Sequence, residues 1–345
     1  MAKCTLKDKS LIEDFTMPYI TAEVNTSHRG NINIAKNMIL KAKECGCNCV
    51  KFQSWSAESI NSKNYYKENP IIKRMFSKFS FSADELSELC LYACEVGISF
   101  SSTPYSRQEV DFLAEKANAP FIKISSMEIS NYLFLEYIAK TGVPIVLSTG
   151  MSDMDEVKTA VEIIENAGGT QLCLLHCISI YPPEMDTINL NNIIGLREVF
   201  PQYPIGFSDH SLGIEIAPAA VALGAAFIEK HFTLDKSKMG MDNQMALEPD
   251  EMAQMVNNCK NVCMAMGVKG RVVSGTEMEQ RDKMRRSVVY TRDIKAGEVL
   301  TVKDLDAKRP GTGLHPRQIN ELIGKVLAKD VEADALAVAN DVKIL

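Results

Sequence analysis

The residues of this 345-residue chain that are best suited to catalysis are two histidines and two lysines. His210 and His231 come at the ends of short apolar runs that are typical of strands. Two imidazoles and a carboxylate around open positions suit a catalytic divalent cation such as Mn²⁺, Fe²⁺ or Zn²⁺. Lys51 and Lys123, with Thr103 between them in the chain, are groups that a substrate with phosphate and carboxylate groups requires.

Other roles remain open for each of these groups. Either lysine could form a Schiff base, as in aldolases, or an ion pair with Glu23 or Glu128. Each of the two histidines could instead cap its strand through a backbone hydrogen bond. His28, in "SHRG", is a further candidate for binding substrate or metal, whereas His176 lies inside a strand-like run and is expected to be packed and hydrogen-bonded.

Eight strand-like runs, separated mostly by helix-like segments, must position these groups. The runs are "YITAEV" (19–24), "CVKFQ" (49–53), "ISFSST" (98–103), "FIKIS" (121–125), "PIVLST" (144–149), "QLCLLHC" (171–177), "PIGFS" (204–208) and "AFIEKH" (226–231). "SADELSELCLYACEVG" is typical of the helices, because it opens with a capping serine and closes on glycine. Strand–helix alternation predicts a parallel sheet, and eight units over about 250 residues predict an α/β fold of the (β/α)8 TIM barrel type. An open doubly wound sheet would normally carry a glycine-rich loop after its first strand, and "AEVNTSHRG" is not one.

Polar residues collect where these strands end. In a TIM barrel the active site lies at the carboxyl ends of the strands. The polar residues at or just beyond those ends are Glu23, Lys51, Gln53, Thr103, Lys123, Ser126, Glu128, Ser148, Ser179, Tyr181, Ser208, His210 and His231. Any one of them is explained equally well as a solvated loop group, but agreement at all eight strand ends indicates an active site.

Net charge, apolar runs and cysteine spacing argue against several other classes of protein. A net charge of −6 disfavours a general nucleic-acid binder. No apolar run approaches the roughly 18 residues of a membrane helix, and the first residues lack the apolar core of a signal peptide, so we expect a cytoplasmic protein. The ten cysteines form no pair of C-x-x-C motifs and are expected to be free thiols.

The pattern changes near the C-terminus to short strands and turns. We expect a catalytic barrel over residues 1–266, a polar linker over 267–284 and a small, mainly-β domain over 285–345. Some sixty residues form only a marginal core, so docking on a partner is expected for this last segment.

Six motifs resemble the sialic acid synthase (N-acetylneuraminate synthase) family, in the same order and spacing. They are "IKISSMEISN", "IVLSTGM", "LLHCISIYPP", "IGFSDHSLG", "ALGAAFIEKHFTLDK" and "LEPDE". The C-terminal segment resembles the antifreeze-like (SAF) domain that ends those synthases. The resemblance implies a (β/α)8 barrel that uses Mn²⁺ or Mg²⁺ to condense phosphoenolpyruvate with an N-acylated amino sugar. That sugar is N-acetylmannosamine or a 2,4-diacetamido hexose, and the products are a nine-carbon 2-keto acid and phosphate.

The resemblance also implies a role for individual residues. His210 and His231 are the implied metal ligands, and Glu23 and Asp242 join them at the reacting centre. The water that adds to C2 is either metal-bound or activated by Glu23 or Asp242. The implied substrate-binding residues are Lys51, Gln53, Thr103, Lys123, Ser126, Glu128, Ser148, Ser179, Tyr181 and Ser208. On this interpretation the lysines bind anions and form no imine. Arg309, in "KRPGTG", is implied to contact the acylamino group in the partner subunit's site, which implies a domain-swapped homodimer.

Two loops depart from the family pattern. Ser27 and Arg29 stand in the first loop, "NTSHRG", where many relatives have Asn before the His and Asn or Glu after it. Met241 and Asn243 stand in "GMDNQ", where many relatives have Gly-Pro-Asp-His. Both loops are implied to face the sugar, so the sugar's identity stays open while the phosphate chemistry is retained.

Two alternative functions remain on the same barrel. The first is a Schiff-base aldolase or lyase, and the second is a sugar-binding or antifreeze-like protein without catalysis. Retention of both histidines, both lysines and Glu23 argues against the second.

Overall fold

The computed structural model describes residues 1–343 and divides the chain into two compact units, Met1–Gly267 and a second that begins at Val268. The first unit is built on eight parallel strands. These strands are β3 (Tyr19–Glu23), β4 (Cys49–Ser54), β5 (Ser99–Pro104), β6 (Ile122–Ile124), β7 (Ile145–Ser148), β8 (Leu172–Cys177), β9 (Ile205–Asp209) and β10 (Phe227–His231). Each overlaps one of the eight predicted runs, so the predicted barrel is confirmed.

The strand order shows how the sheet curls into a barrel. Along the sheet the order is β5-β4-β3-β10-β9-β8-β7-β6, so its two edge strands are consecutive in the chain. Between residues 1 and 343 no backbone ladder joins β5 to β6. Instead the buried hydroxyl of Ser101 on β5 donates to the carbonyl of Phe121, just before β6, at 2.7 Å. The barrel is therefore nearly closed, with a side chain bridging its seam.

Helices cover the barrel, one or more after each strand. They are α1 (Ile32–Glu44), α2 (Ala57–Ile60), α3 (Lys63–Glu68), α4 (Pro70–Phe79), α5 (Ala83–Val96), α6 (Arg107–Asp111), α7 (Tyr132–Lys140), α8 (Met154–Asn166), α9 (Asn192–Val199), α10 (Ile216–Ala222) and α11 (Pro249–Met266). In α5, Ser82 and Glu85 form a reciprocal capping box, and Gly97 ends the helix at φ 74°. That left-handed conformation favours glycine, so the predicted start and stop of this helix are confirmed.

A hairpin that the sequence did not reveal closes the amino end of the barrel. Its strands, β1 (Lys3–Thr5) and β2 (Leu11–Glu13), pair antiparallel. Cys4 and Ile12 pack into a cluster with apolar residues of the barrel strands. Among these are Tyr19 and Phe227, the first residues of β3 and β10, whose ring centroids are 5.5 Å apart. Side chains therefore fill this end of the barrel.

The second unit holds helix α12 (Gly275–Met284), strands β11 (Ser287–Tyr290) and β12 (Leu305–Lys308), and the short helix α13 (Ile319–Leu322). The segment 267–284, expected to be a linker, thus contains a helix. The two strands pair antiparallel and pack on a small apolar core that includes Val288, Leu300 and Leu327. None of the helices within residues 1–343 has the length and apolar character needed to cross a membrane.

Candidate active site

A cavity of about 380 Å³ opens at the carboxyl ends of the barrel strands. This volume lies within the range of roughly 300–1,000 Å³ that is usual for small-molecule sites. Of the residues singled out from sequence, those that line it are Glu23, Lys51, Gln53, Thr103, Lys123, Ser126, Ser148, Ser179, Tyr181, Ser208, His210, His231 and Asp242.

Two ammonium groups and a carboxylate form the floor of this cavity. Glu229 on β10 lies between Lys51 and Lys123. Its Oε2 is 3.7 Å from the ammonium nitrogen of Lys51, and its Oε1 is 3.7 Å from that of Lys123. The hydroxyl of Ser208 donates to the same carboxylate at 3.0 Å. All of these side chains are buried, so their charges interact with little screening by water.

The charges on the floor depend on one another. Burial acts to raise the pKa of Glu229, but the ammonium groups of Lys123 and Lys51 outweigh it, so this pKa is lowered and the carboxylate stays ionised. Burial lowers the pKa of Lys123, and the charge of Glu229 opposes that shift. Lys51 behaves differently. Burial acts to lower its pKa, but Glu229 and Glu23 together raise it.

A second carboxylate stands beside Lys51 on the next strand. Glu23 is the register partner of Lys51 and forms an ion pair with it. Its carboxylate also accepts a hydrogen bond from the amide of Gln53 at 3.0 Å. Gln53 in turn accepts from the hydroxyl of Tyr105 at 3.1 Å. Burial raises the pKa of Glu23, although Lys51 acts in the opposite direction.

Hydroxyl groups surround the ammonium groups. Lys51 donates to Thr103 at 2.9 Å, and Lys123 donates to Ser148 at 2.7 Å. A Cβ added at Gly150 would collide with the hydroxyls of Ser126 and Ser179, so glycine is needed for these three residues to meet. Ammonium groups next to several hydroxyls are the donors that a phosphate or carboxylate needs.

The two histidines lie side by side at the cavity wall. The ring centroids of His210 and His231 are 5.4 Å apart, with 68° between the ring planes. Nδ1 of His210 is 2.7 Å from the carbonyl of Ile178, so in the neutral ring Nε2 carries the lone pair. Burial acts to lower the pKa of His210, but Cys177 and the carbonyl of Ile178 outweigh it, so this pKa is raised. Burial lowers the pKa of His231 well below its usual range, and nearby cations add to this, so its ring is neutral.

An outward-facing ion pair holds the two histidine strands in register. Side chains alternate along a strand, so Asp209 and Lys230 point away from the cavity next to His210 and His231. They are register partners, and the ammonium of Lys230 donates to Asp209 at 2.8 Å and to the carbonyl of Ser211 at 2.6 Å. The run "FIEKH" thus sends Glu229 and His231 inward and satisfies its buried lysine on the other side.

The two histidines fit a metal site in which some coordination positions of a divalent cation stay open. They do not fit a structural site in which protein side chains fill every position. Within residues 1–343 no group of three or more His, Cys, Asp or Glu side chains has the geometry of a metal site. The nearest carboxylate to His231 is Asp242, at 4.0 Å from Nδ1. A metal-binding histidine usually donates its other N–H to a carbonyl or carboxylate, as His210 does. Substrate and water oxygens would therefore have to complete the coordination.

Some singled-out residues lie elsewhere. Glu128 does not line the cavity, because it sits on the turn after β6 and accepts a hydrogen bond from Asn131 at 2.7 Å. Arg309 is exposed in the second unit, just after β12. His28 does not line the cavity: its ring stacks on Phe81 at 4.2 Å, and its Nδ1 accepts a hydrogen bond from the backbone N–H of Gly30 at 3.0 Å. His176 is packed as expected, 2.6 Å from the carbonyl of Ile188.

Several lining residues were not singled out as site residues. Glu229 has the most consequence, and strand alternation from His231 was the signal that would have found it. The others contribute apolar or neutral polar surface, which carries little signal in a sequence. They are Asn25, Trp55, Ile60, Phe76, Tyr105, Ser125, Met127, Met151, Cys177 and Met241.

Comparison with known proteins agrees with this architecture. The chain matches the NeuB family over residues 38–271 and the SAF domain over residues 285–343. The N-acetylneuraminate-9-phosphate synthase of Homo sapiens is 37% identical over 325 residues, which cover 92% of this chain and 90% of that protein.

Two further relatives span most of this chain. The N,N'-diacetyllegionaminic acid synthase of Legionella pneumophila is 35% identical and covers 91% of this chain and 92% of its own length. The crystal structure of the N-acetylneuraminic acid (sialic acid) synthetase of Leptospira borgpetersenii, in complex with citrate, superposes with a TM-score of 0.74 at 32% identity. It covers 81% of this chain and 94% of its own. The chain therefore belongs to the NeuB family, the sialic acid synthases, and is a transferase that ends in an SAF domain.

Proposed function

We propose that this chain condenses phosphoenolpyruvate with an N-acylated amino sugar to give a nine-carbon 2-keto acid and phosphate. One observation carries the proposal: both lysines and both histidines line a single cavity at the carboxyl end of the barrel. An anion site beside two imidazoles is what a reaction between an enol phosphate and an aldehyde needs.

Phosphoenolpyruvate would occupy the floor of the cavity. Lys51 and Lys123 supply charge, and the hydroxyls of Ser126, Ser148 and Ser179 supply further donors to its carboxylate and phosphate. Thr103 holds Lys51 in place and Ser208 holds Glu229 in place, through the hydrogen bonds described above. Each ammonium group here already has hydrogen-bond partners that fix its position before the substrate arrives.

The sugar would lie above, nearer the mouth. Gln53, Tyr181 and Asp242 line this part together with the aromatic side chains of Trp55 and Tyr105. The ring of Tyr181 packs 4.1 Å from that of His210, which places a flat apolar face next to the imidazoles. Such a mixture of ring faces and convergent polar groups is typical of a site for a polar small molecule.

We propose that His210 and His231 hold Mn²⁺ or Mg²⁺. When bound, this ion would supply Lewis-acid polarisation of the open-chain sugar aldehyde. The depressed pKa of His231 keeps a lone pair available on its ring, and the contact of His210 Nδ1 with Ile178 directs the other nitrogen of His210, Nε2, to the ion.

The chain's own side chains account for the remaining steps. C3 of the enol attacks the aldehyde carbon, and the aldehyde oxygen takes up a proton to become a hydroxyl. Water adds to C2 and loses a proton; the bond from C2 to the phosphate oxygen then breaks, the new hydroxyl on C2 becomes the carbonyl, and its proton leaves with the phosphate. Glu23, whose pKa is raised by burial, and Asp242, whose pKa is also raised by burial, are the candidates that take the proton from this water. Lys51 and Lys123 stabilise the negative charge that stays on the departing phosphate.

We further propose a cytoplasmic homodimer in which Arg309 completes the partner's site. The exposed position of Arg309 leaves its guanidinium accessible to a second chain. All ten cysteines are free thiols, which fits a reducing compartment.

The proposed function is tested with a panel of amino sugars. The chain, phosphoenolpyruvate and Mn²⁺ are incubated with N-acetylmannosamine, its 6-phosphate or a 2,4-diacetamido hexose. Phosphate release and the mass of the product are measured. We expect release with one class of sugar and a product that gains the three-carbon unit. Release without any sugar, or no release with the whole panel, contradicts the proposal.

A Schiff-base aldolase remains the second candidate, because burial lowers the pKa of Lys123 toward that of a nucleophilic amine. Its test is reduction with borohydride in the presence of pyruvate, followed by mass spectrometry. Covalent trapping at Lys51 or Lys123 favours the aldolase, and an unmodified chain excludes it.

A further inference from the structure

The loops after the first and last barrel strands are joined by three hydrogen bonds. The side-chain amide of Asn25 donates to the carboxylate of Asp242. The backbone N–H of Met241 donates to the hydroxyl of Thr26 at 2.8 Å. The hydroxyl of Ser27 donates to Oδ1 of Asn243 at 2.5 Å. We call these two stretches, residues 25–27 and 241–243, the loop clasp.

Asn243 is the anchor of the loop clasp. Its side chain is 1% exposed, and both hydrogens of its amide nitrogen are used, one by the carbonyl of Asp235 at 2.9 Å and one by that of Lys238 at 2.8 Å. These two bonds fix the orientation of the amide, so Oδ1 must point at Ser27. Ser27 is itself only 9% exposed, so water competes little for this bond.

The loop clasp holds two acceptor groups at the cavity. Asp242 lines the cavity with a carboxylate oxygen 4.0 Å from Nδ1 of His231. Asn25 lines it too, and its Oδ1 is buried without a hydrogen-bond partner in the described chain. Because Nδ2 of Asn25 is engaged by Asp242, the free atom of this amide is an acceptor. A ligand at this wall must therefore present hydroxyl or amide N–H donors.

The same contact links the two loops in which the sequence departs from its family. Ser27 lies in the first of these loops, and Asn243 lies in the second. Because these two side chains bond to each other, the two departures form one structural unit.

On the basis of the proposed function, we propose that Ser27 and Asn243 are positioning residues for the amino sugar. They touch neither reacting carbon. They hold Asp242 and Asn25 at the wall where hydroxyl or amide N–H groups of the sugar are recognised. Loosening the loop clasp weakens recognition of the sugar and leaves the floor of the cavity, where phosphoenolpyruvate binds, unchanged.

The test compares Ser27→Ala with Ser27→Thr, which retains a hydroxyl. In Ser27→Ala we expect the KM for the sugar to rise about 2- to 10-fold, the range that loss of one hydrogen bond corresponds to. The KM for phosphoenolpyruvate is expected to stay the same, and Ser27→Thr is expected to restore the sugar KM. Ser237→Ala is the matched control, because its hydroxyl bonds to Asp235 within the same loop and not to the loop clasp.

Hydrogen exchange gives a second measurement that does not depend on turnover. We expect the amide of Met241, which donates to Thr26, to exchange faster in Ser27→Ala and in Asn243→Ala, while amides of the barrel strands keep their rates. Unchanged exchange at Met241 overturns the proposal, as does an equal rise in both KM values. If no sugar is turned over, the proposed function fails, yet the exchange rates still decide whether the loop clasp exists.

Discussion

At the scale of single residues, the site is a small set of buried charges that control one another. Two ammonium groups and two carboxylates form a chain of ion pairs on the cavity floor, in the order Glu23, Lys51, Glu229 and Lys123. The sequence predicted the two lysines and Glu23 because they are charged residues within or at the carboxyl end of apolar strand-like runs. Glu229 was not predicted to belong to the site. Strand alternation from His231 places its side chain inside the barrel, but the sequence does not show that it meets the two lysines.

Glu229→Gln should change how the binding of phosphoenolpyruvate depends on pH. Lys123 binds an anion only when protonated, so affinity is lost as the pH rises through its pKa. That pKa is already lowered by burial, and Glu229 opposes the shift. Without this charge the pKa falls further, and the alkaline loss of affinity moves to lower pH by about 1 unit.

This prediction is checked by measuring the KM for phosphoenolpyruvate between pH 6 and 10 in both proteins. Glu162→Gln, on the exposed side of α8, is the matched control and should leave the profile unchanged. An unshifted profile in Glu229→Gln means that the carboxylate does not control Lys123.

At the scale of elements, the barrel strands were predictable from sequence, whereas a short hairpin and a fully exposed helix were not. The eight barrel strands and the caps of α5 follow from apolar runs and from capping residues such as Ser82 and Gly97. The hairpin β1–β2 escaped prediction because its strands have three residues each, too few for a periodic pattern. Helix α12 escaped prediction because none of its residues is buried, so it has no apolar stripe.

The seam between β5 and β6 should depend on one hydroxyl. Ser101→Ala removes the donor to the carbonyl of Phe121, and we expect the free energy of unfolding of the barrel to fall by about 1–3 kcal/mol. Trp55 is the only tryptophan in the chain and lies in the barrel, so its fluorescence during urea denaturation reports this unit.

Ser87→Ala serves as the comparison for the seam, because Ser87 also donates to a backbone carbonyl, that of Ala83, but at an exposed position within α5. We expect it to change stability by less than about 0.5 kcal/mol. Equal effects of the two substitutions would show that the seam does not rely on Ser101.

At the scale of the whole molecule, the sequence predicted two kinds of domain and a shared site between subunits. The NeuB family matches residues 38–271, which include most of the barrel, and the SAF domain matches residues 285–343. The subunit arrangement stays a prediction, since it depends on Arg309 reaching a second chain, and no property of an exposed arginine reveals its partner. The C-terminal segment of about sixty residues can form only a marginal core, and this is the physical reason to expect it to dock on a partner.

Hybrid dimers test the shared site. Arg309→Ala alone should raise the KM for the sugar more than that for phosphoenolpyruvate. In a hybrid of one His231→Ala chain with one Arg309→Ala chain, a site shared between subunits leaves one site free of both changes. Co-expressed, separately tagged and purified hybrids should therefore show the wild-type KM for the sugar. A KM equal to that of Arg309→Ala would place the arginine in its own subunit's site.

The central claim is that His210 and His231 act together on a divalent ion during condensation. The most direct measurement is phosphate release from phosphoenolpyruvate with the preferred sugar, in ¹⁸O-labelled water, for the wild type, His210→Ala and His231→Ala. We predict release of unlabelled phosphate that stops in excess chelator. We also predict a loss of at least about 100-fold in either variant, since even outer partners of a metal site cost roughly 10–100-fold. Circular dichroism should show both variants folded. Full activity in chelator or in either folded variant, or phosphate that carries the label, would contradict the account.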